Sequence, residues 1–275
     1  MSGSGGLRIG TQGWNYAAWS GGFYPEGTRP AEFLGTYARA FDTVEVDSTF
    51  YAVPPSRTVR GWAERTPPGF VLALKMPQEV THERRLRGVD EVAAEFFARA
   101  RELDEKLGPV LVQLGPDFLP DELPALADFL PRVPRDLRVA VELRNHKWVD
   151  RRVLPGVLSL LAAYGVALAL SDGPWIPRDI LLALVSRPTA DFHYVRWMGP
   201  DRHITDHSHV QADRSGEERE WAETLARMPE RGIDVFGYFS NYWAGHAPAS
   251  ARAMQRLLGQ TPVEPETLGE QTSLF

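Results

Sequence analysis

The chain has 275 residues, 43% apolar and 24% charged, enough for a sizeable core in one α/β barrel or two small domains. It contains no cysteine, which excludes disulfides and thiolate chemistry, and its formal net charge of -6 speaks against a free-standing nucleic-acid binder. No apolar run approaches the ~20 residues of a membrane span. Residues 1–6 read as a flexible lead rather than a signal peptide, and a cytoplasmic location is the expectation.

In chain order, short β-rich runs occur at LRIG (from Leu7), TVEV (from Thr43), FVLAL (from Phe70), VLVQL (from Val110), RVAVEL (from Arg138), VALAL (from Val166), FHYVRW (from Phe192) and IDVFGYF (from Ile233). Amphipathic stretches separate them, among them PAEFLGTYARAF, SRTVRGWAER, VDEVAAEFFARARELDEKL, DRRVLPGVLSLLAAY and HAPASARAMQRLLG. Strands joined through helices must run parallel, because the helix is the crossover. Eight such units over residues 7–259 predict a single (β/α)8 TIM barrel, followed by a flexible tail over residues 260–275. An open doubly wound sheet is the alternative. It would carry a glycine-rich turn after the first strand, where this chain has TQGWNY, so no nucleotide cofactor is indicated.

The period of two assigns faces. In RVAVEL, Val139, Val141 and Leu143 share one side, against Ala140, Glu142 and Arg144 on the other. The same rule turns Glu45 and Asp47, Lys75, Gln113, Gln12, Arg196 and Asn241 inward, at strand C-termini, where barrel enzymes hold their active sites. This polar ring reads as an active site; a buried ion network is the other reading. Trp14, Trp19, Trp148, Trp175, Trp197 and Trp243 fall after strands or in those loops, joined by Tyr16, Tyr51 and Tyr242. That distribution predicts an aromatic-rimmed pocket for a flat or ringed ligand. Glu142 and Glu45 are candidate acid–base partners, with Arg144 beside Glu142 to hold a substrate anion. Lys75 is suited to electrophilic or Schiff-base chemistry. A lone divalent ion on carboxylates is compatible with this mouth, whereas too few histidines surround it for a multi-zinc cluster. The stretch HITDHSH, from His203, reads as a polar loop.

GTQGWNYAAW, FDTVEVDSTFY, LKMPQEVTH, VQLGPDF, VELRNHKW, the Asp172 loop, YVRWMG and GYFSNYWAGHAPASA follow one another along nearly the whole chain. Their order resembles that of the domain of unknown function 72 family, the YecE-like proteins. The resemblance implies a TIM barrel and brings no reaction with it. It singles out Trp14, Glu45, Tyr51, Lys75, His82, Gln113, Glu142, Arg144, Trp148, Asp172, Arg196 and Asn241 as motif positions. Two departures stand out. The family's strand-7 ending carries a histidine where this chain has Met198, and one of its paired asparagines is Ser240 here.

The proline- and acid-rich end finishes on Gln271, Thr272, Ser273, Leu274 and Phe275. It resembles the pentapeptide by which bacterial DNA polymerases and repair proteins dock on the sliding clamp. Such a peptide would seat Leu274 and Phe275 in an apolar pocket, with Gln271 and Ser273 alongside. The alternative is a tail that packs on its own domain. Together these features predict an enzyme, a hydrolase or lyase, acting on nucleic acid or a nucleotide-like substrate and recruited through that peptide. An enzyme of a small polar metabolite, or a non-catalytic binding barrel, is the alternative.

Overall fold

The computed structural model describes residues 5–270. Among the described residues nine strands are observed: β1 Leu7–Thr11, β2 Thr43–Val46, β3 Val71–Lys75, β4 Leu107–Gln113, β5 Val139–Glu142, β6 Ala167–Leu168, β7 Leu170–Asp172, β8 Phe192–Trp197 and β9 Asp234–Phe239. The helices are α1 Phe33–Ala40, α2 Ser56–Glu64, α3 Asp90–Ala100, α4 Leu123–Phe129, α5 Leu154–Tyr164, α6 Arg178–Val185, α7 Ser215–Leu225, α8 Asn241–Ala244, α9 Ala247–Leu257 and α10 Thr267–Glu270.

All strand pairs are parallel, as helical crossovers require. They form two sheets, of four strands (β1-β9-β8-β7) and five (β2-β3-β4-β5-β6). The parallel α/β expectation is met, while the backbone pairing divides the strands between two sheets rather than one closed ladder. The reason lies in the sixth run. Ala167 and Leu168 pair with β5, while Leu170–Asp172 pair with β8, so one extended segment serves both sheets and splits at Ala169. At the other seam a single bridge joins Gln12 to Glu45, and the Gly13 N–H reaches the Glu45 carbonyl at 2.8 Å. Strand β1 approaches β2 so closely that a Cβ on Gly10 would stand 2.3 Å from the Thr43 carbonyl oxygen. Only glycine admits that approach.

The alternation predicted from sequence is realised. Val44, Leu72, Val110, Val139, Val141, Val195 and Val235 lie in the large cluster with helix residues such as Phe96, Leu126, Leu161 and Trp221. Val71, Ala73, Leu111, Ala140, Phe192, Tyr194 and Tyr238 form a second, separate cluster on the opposite faces. That second cluster draws from both sheets. The polar residues then occupy the next position along the same faces, toward the strand C-termini.

Two sequence expectations about the periphery change. Trp19, Trp148, Trp197 and Trp243 are core residues at 1% exposure or less, so four of the six tryptophans expected at the rim are packing. Each finds an apolar wall: Trp197, for example, stacks on Phe239 at 4.2 Å and meets Trp221 edge-on. The tail is also corrected over its described part. Leu268 is 2% exposed and belongs to the main core, and its carbonyl accepts from Arg39 at 2.8 Å. Glu264 pairs with Arg256, and Gln260 donates to the Leu7 carbonyl at 2.7 Å. A single leucine in an acidic stretch thus anchors residues 260–270 to the domain. We expect Leu268→Ala to cost about 2 kcal/mol in urea unfolding; a loss below ~0.5 kcal/mol would show that this segment is not held by its leucine. Gln271, Ser273, Leu274 and Phe275 lie outside the described residues. Among the described residues no helix is long and apolar enough to cross a membrane.

Candidate functional site

Because β2, β3, β5 and β8 turn alternate side chains to the same face, Glu45, Lys75, Glu142 and Arg196 converge at their C-terminal ends. Arg196 stands at the centre. Its Nε and Nη2 donate to the two Glu45 oxygens at 2.9 and 2.7 Å, and its Nη1 donates to Glu142 at 2.7 Å. The Tyr194 hydroxyl adds a bond to Glu45 at 2.6 Å, and Arg144 takes the second Glu142 oxygen at 2.5 Å. Glu45 and Glu142 are both fully buried, and Arg196 is 2% exposed. A bidentate guanidinium is the cation best suited to hold two buried carboxylates. This floor ties β2 and β5 of one sheet to β8 of the other.

Charge states follow from the partners. Burial alone would raise the Glu142 carboxyl, but Arg144 and Arg196 outweigh it and hold the group at about 2. Both of its oxygens are engaged, and no face of it meets solvent. Arg144 in turn stacks 4.1 Å over the Trp175 ring. The carboxylates that the sequence offered to a divalent ion are thus already paired with guanidinium groups. Among the described residues, no three His, Cys, Asp or Glu side chains converge as a metal-ligating group.

Two groups above this floor differ. Asp47, in the turn just after β2, keeps 38% of its side-chain exposure and lies 3.8 Å from Arg196 Nη2. Desolvation, the neighbouring Glu45 carboxylate and a hydrogen bond to it push the Asp47 carboxyl up to about 7, although water still reaches it. Lys75, the last residue of β3, is 8% exposed. Its Nζ lies 3.8 Å over the Phe50 ring and makes no salt bridge among the described residues. Burial and the Arg196 charge bring it down to about 8. Tyr16 flanks this pair; burial, and after it the Asp47 charge, push its hydroxyl well up.

The remaining sequence candidates divide. Gln113, 3% exposed, contacts the His82 Nε2 at 3.2 Å and donates to the Leu114 carbonyl at 2.9 Å. His82 also meets Thr81 Oγ1 at 2.8 Å and the Phe50 ring edge-on, and burial and Lys75 lower its proton affinity. Tyr51 is 74% exposed beside Phe50, and Trp14 packs edge-on against Trp62. The others are held in the frame. Trp148 stacks on Phe118 and donates to its carbonyl at 2.8 Å. Asp172 accepts from Arg178 and Trp221, each at 2.7 Å, tying α6 and α7 to β7. Asn241 accepts from Trp19 and from the Ala247 N–H at the start of α9, each at 3.0 Å. Sequence reasoning gave no role to Tyr194, placed Trp175 only in the aromatic rim and gave Asp47 only a direction. The DST tripeptide after β2 was the available signal, since a carboxylate two residues beyond Glu45 must crowd it. A groove of about 730 Å³, lined by Leu119, His146, Lys147, Val153 and Ile180 among others, shares no residue with this cluster.

Parallel α/β architecture with a polar cluster at strand C-termini is the class of site seen here. The chain matches the family described as "Protein of unknown function DUF72" over residues 8–272, and it belongs to that family. The UPF0759 protein YunF of Bacillus subtilis is 27% identical over 269 residues, covering 92% of this chain and 94% of that one. The UPF0759 protein YecE of Escherichia coli is 38% identical over 112 residues, so the match spans only 41% of either chain. Among solved structures, a DUF72 family protein from Enterococcus faecalis superposes with a TM-score of 0.73 at 21% identity, covering 94% of this chain and 99% of that one. Another, from Thermotoga maritima, gives 0.73 at 23% identity over 93% and 100%. These likenesses concern the fold.

Proposed function

We propose that the two sheets are halves of one (β/α)8 barrel, and that its C-terminal mouth is the active site of an enzyme using Asp47 and Lys75 as a proton-transfer pair. The barrel reading is supported by the shared Ala167–Asp172 segment, the Gln12–Glu45 bridge and the Arg196 bonds that cross between sheets. One observation carries the catalytic reading. Above a floor whose charges are fully matched, the short helical turn Asp47–Phe50 carries a carboxyl at one end and, at the other, the ring over which the Lys75 amine sits at 3.8 Å, and their proton affinities are drawn toward neutrality from opposite sides. Glu142 takes the part of an ion partner instead, since a buried carboxylate held at about 2 accepts protons poorly. Glu45 fixes Arg196 and disfavours ionised Asp47.

The substrate class we propose is nucleic acid or a nucleotide-like compound, with bond cleavage as hydrolase or lyase. Phe50, Tyr51, Tyr16 and Trp175 around the mouth suit a flat ring. The terminal Gln271–Phe275 peptide would bring the protein to the sliding clamp, and tethering at millimolar effective concentration offsets the net charge of -6. Full-length protein incubated with single-stranded and abasic-site DNA is expected to give products by mass spectrometry, at a rate cut roughly 100-fold by Asp47→Asn. No product from any such substrate overturns the nucleic-acid reading; equal rates in the variant overturn the role of Asp47. Clamp binding that survives removal of residues 271–275 would refute recruitment through the peptide. The chain's negative charge favours, as a second reading, a small polar metabolite at the same mouth.

A further inference from the structure

Of thirty basic side chains, only three are lysine: Lys75, Lys106 and Lys147. Arginine fills every other cationic position, including both guanidinium groups of the buried floor. Lys106 has a structural task, since its Nζ donates to the Ala63 and Thr66 carbonyls at 2.5 Å. Lys147 is exposed. Lys75 is the one whose amine enters the mouth without an ion pair among the described residues, with the face of Phe50 beneath it. A guanidinium there would serve charge and stacking equally well, yet it cannot become a neutral nucleophile, whereas a buried amine can.

We infer that Lys75 is a covalent nucleophile that forms an imine with a carbonyl substrate, of the class of open-chain sugar aldehydes. This rests on the reading of the mouth as an active site and deepens it. Neutral Lys75 Nζ attacks the carbonyl carbon. The C–N bond forms as the C=O π pair moves to oxygen. Asp47, in its protonated form, gives its proton to that oxygen and takes one back from the new ammonium, leaving a neutral carbinolamine. Asp47 then protonates the hydroxyl, which departs as water while the nitrogen lone pair forms C=N. The product is an iminium cation beside the Asp47 carboxylate, with one water released and no other reactant needed. That carboxylate is the base that next removes a proton from the adjacent carbon, giving an enamine. In the nucleotide reading, the aldehyde is the ring-opened sugar left where a base is missing.

The groups facing the pair are Glu45 on β2, Arg196 on β8, Arg144 after β5, His82 after β3 and Tyr16 after β1. Burial and Arg196 lower Lys75 to about 8, and burial and Glu45 raise Asp47 to about 7. Imine formation needs free amine and protonated acid together, so its rate is expected to be bell-shaped between these values.

The test uses the full chain, glycolaldehyde as probe and cyanoborohydride to fix any imine, read by peptide mass spectrometry. Lys75 is expected to be alkylated at least tenfold faster than exposed Lys147 at pH 7.5, with the rate falling on both sides. Asp47→Asn is expected to slow Lys75 tenfold and leave Lys147 unchanged. A Lys75 that reacts no faster than Lys147, or whose rate only climbs with pH as an ordinary amine's does, overturns the inference. If Lys75 stays inert while Asp47→Asn still suppresses DNA products, proton transfer stands and the covalent step is lost. If Lys75 is trapped but no DNA is turned over, the imine stands and the nucleic-acid reading is lost.

Discussion

Arg196→Met is expected to lower unfolding stability by about 3–5 kcal/mol, the usual cost of removing one partner from a buried ion cluster. For a chain of this size that corresponds to roughly 5–10 °C in the melting temperature. Arg196 donates three bonds to two carboxylates that have no solvent exposure. Without it, Glu45 retains the Tyr194 hydroxyl and its hydrogen bond with Asp47 but no cation, and Glu142 retains only Arg144. Two negative charges are then left in a site that water does not reach. Methionine fills most of the volume, so the loss reports electrostatics rather than a cavity. A triple variant that adds Glu45→Gln and Glu142→Gln is therefore expected to recover most of the loss. If the triple variant is no more stable than Arg196→Met alone, the penalty comes from packing and the ion-cluster account fails. Salt distinguishes the case further: a pair this deep should be nearly indifferent to ionic strength, unlike the exposed Arg29–Glu32 pair.

The floor and the mouth differ in how far sequence reveals them. The period of two is a local property of an extended chain, so Glu45, Lys75, Gln113, Glu142 and Arg196 could be placed on one face from their spacing alone. Parallel pairing follows from helical crossovers, which are also local. What the spacing does not contain is the partner. Glu142 looks like a base when only Arg144 is visible beside it; that Arg196, 54 residues on, takes its other oxygen is a tertiary fact. Asn241 and Asp172 look like mouth residues for the same reason, and each proves to hold a helix start or a helix pair. Trp19, Trp148 and Trp243 follow strands as ligand-stacking residues would, yet the loops carrying them fold inward onto Phe23, Phe118 and Phe239. The division of the sixth strand at Ala169 has no sequence signature, because it arises from competition between β5 and β8 for one short segment.

Glu142→Gln is expected to leave a stability gap of about 3 kcal/mol at pH 7 that closes as the pH falls to about 2. The sign follows from linkage. The folded carboxyl is depressed to about 2 from an ordinary 4.5. A depressed carboxyl contributes stability that is fully present above its unfolded value and is lost as pH falls through its folded one. The span between those values corresponds to about 3 kcal/mol. Protonated Glu142 and the glutamine of the variant are close in shape and charge, so the wild type at low pH becomes, at this position, the variant. Asp47 works in the other direction. Its raised carboxyl makes the fold favour the protonated acid, so its contribution improves as pH drops from about 7 toward 3.8. Wild type and variant both carry Asp47, and its contribution largely cancels in the difference between their curves, leaving the Glu142 limb. Urea unfolding of both proteins from pH 7 to pH 2 measures that difference. A gap that stays constant across the range would mean that Arg144 and Arg196 do not lower the Glu142 carboxyl. Glu142 would then return as a candidate base, and Asp47 would lose its place as the proton donor above it.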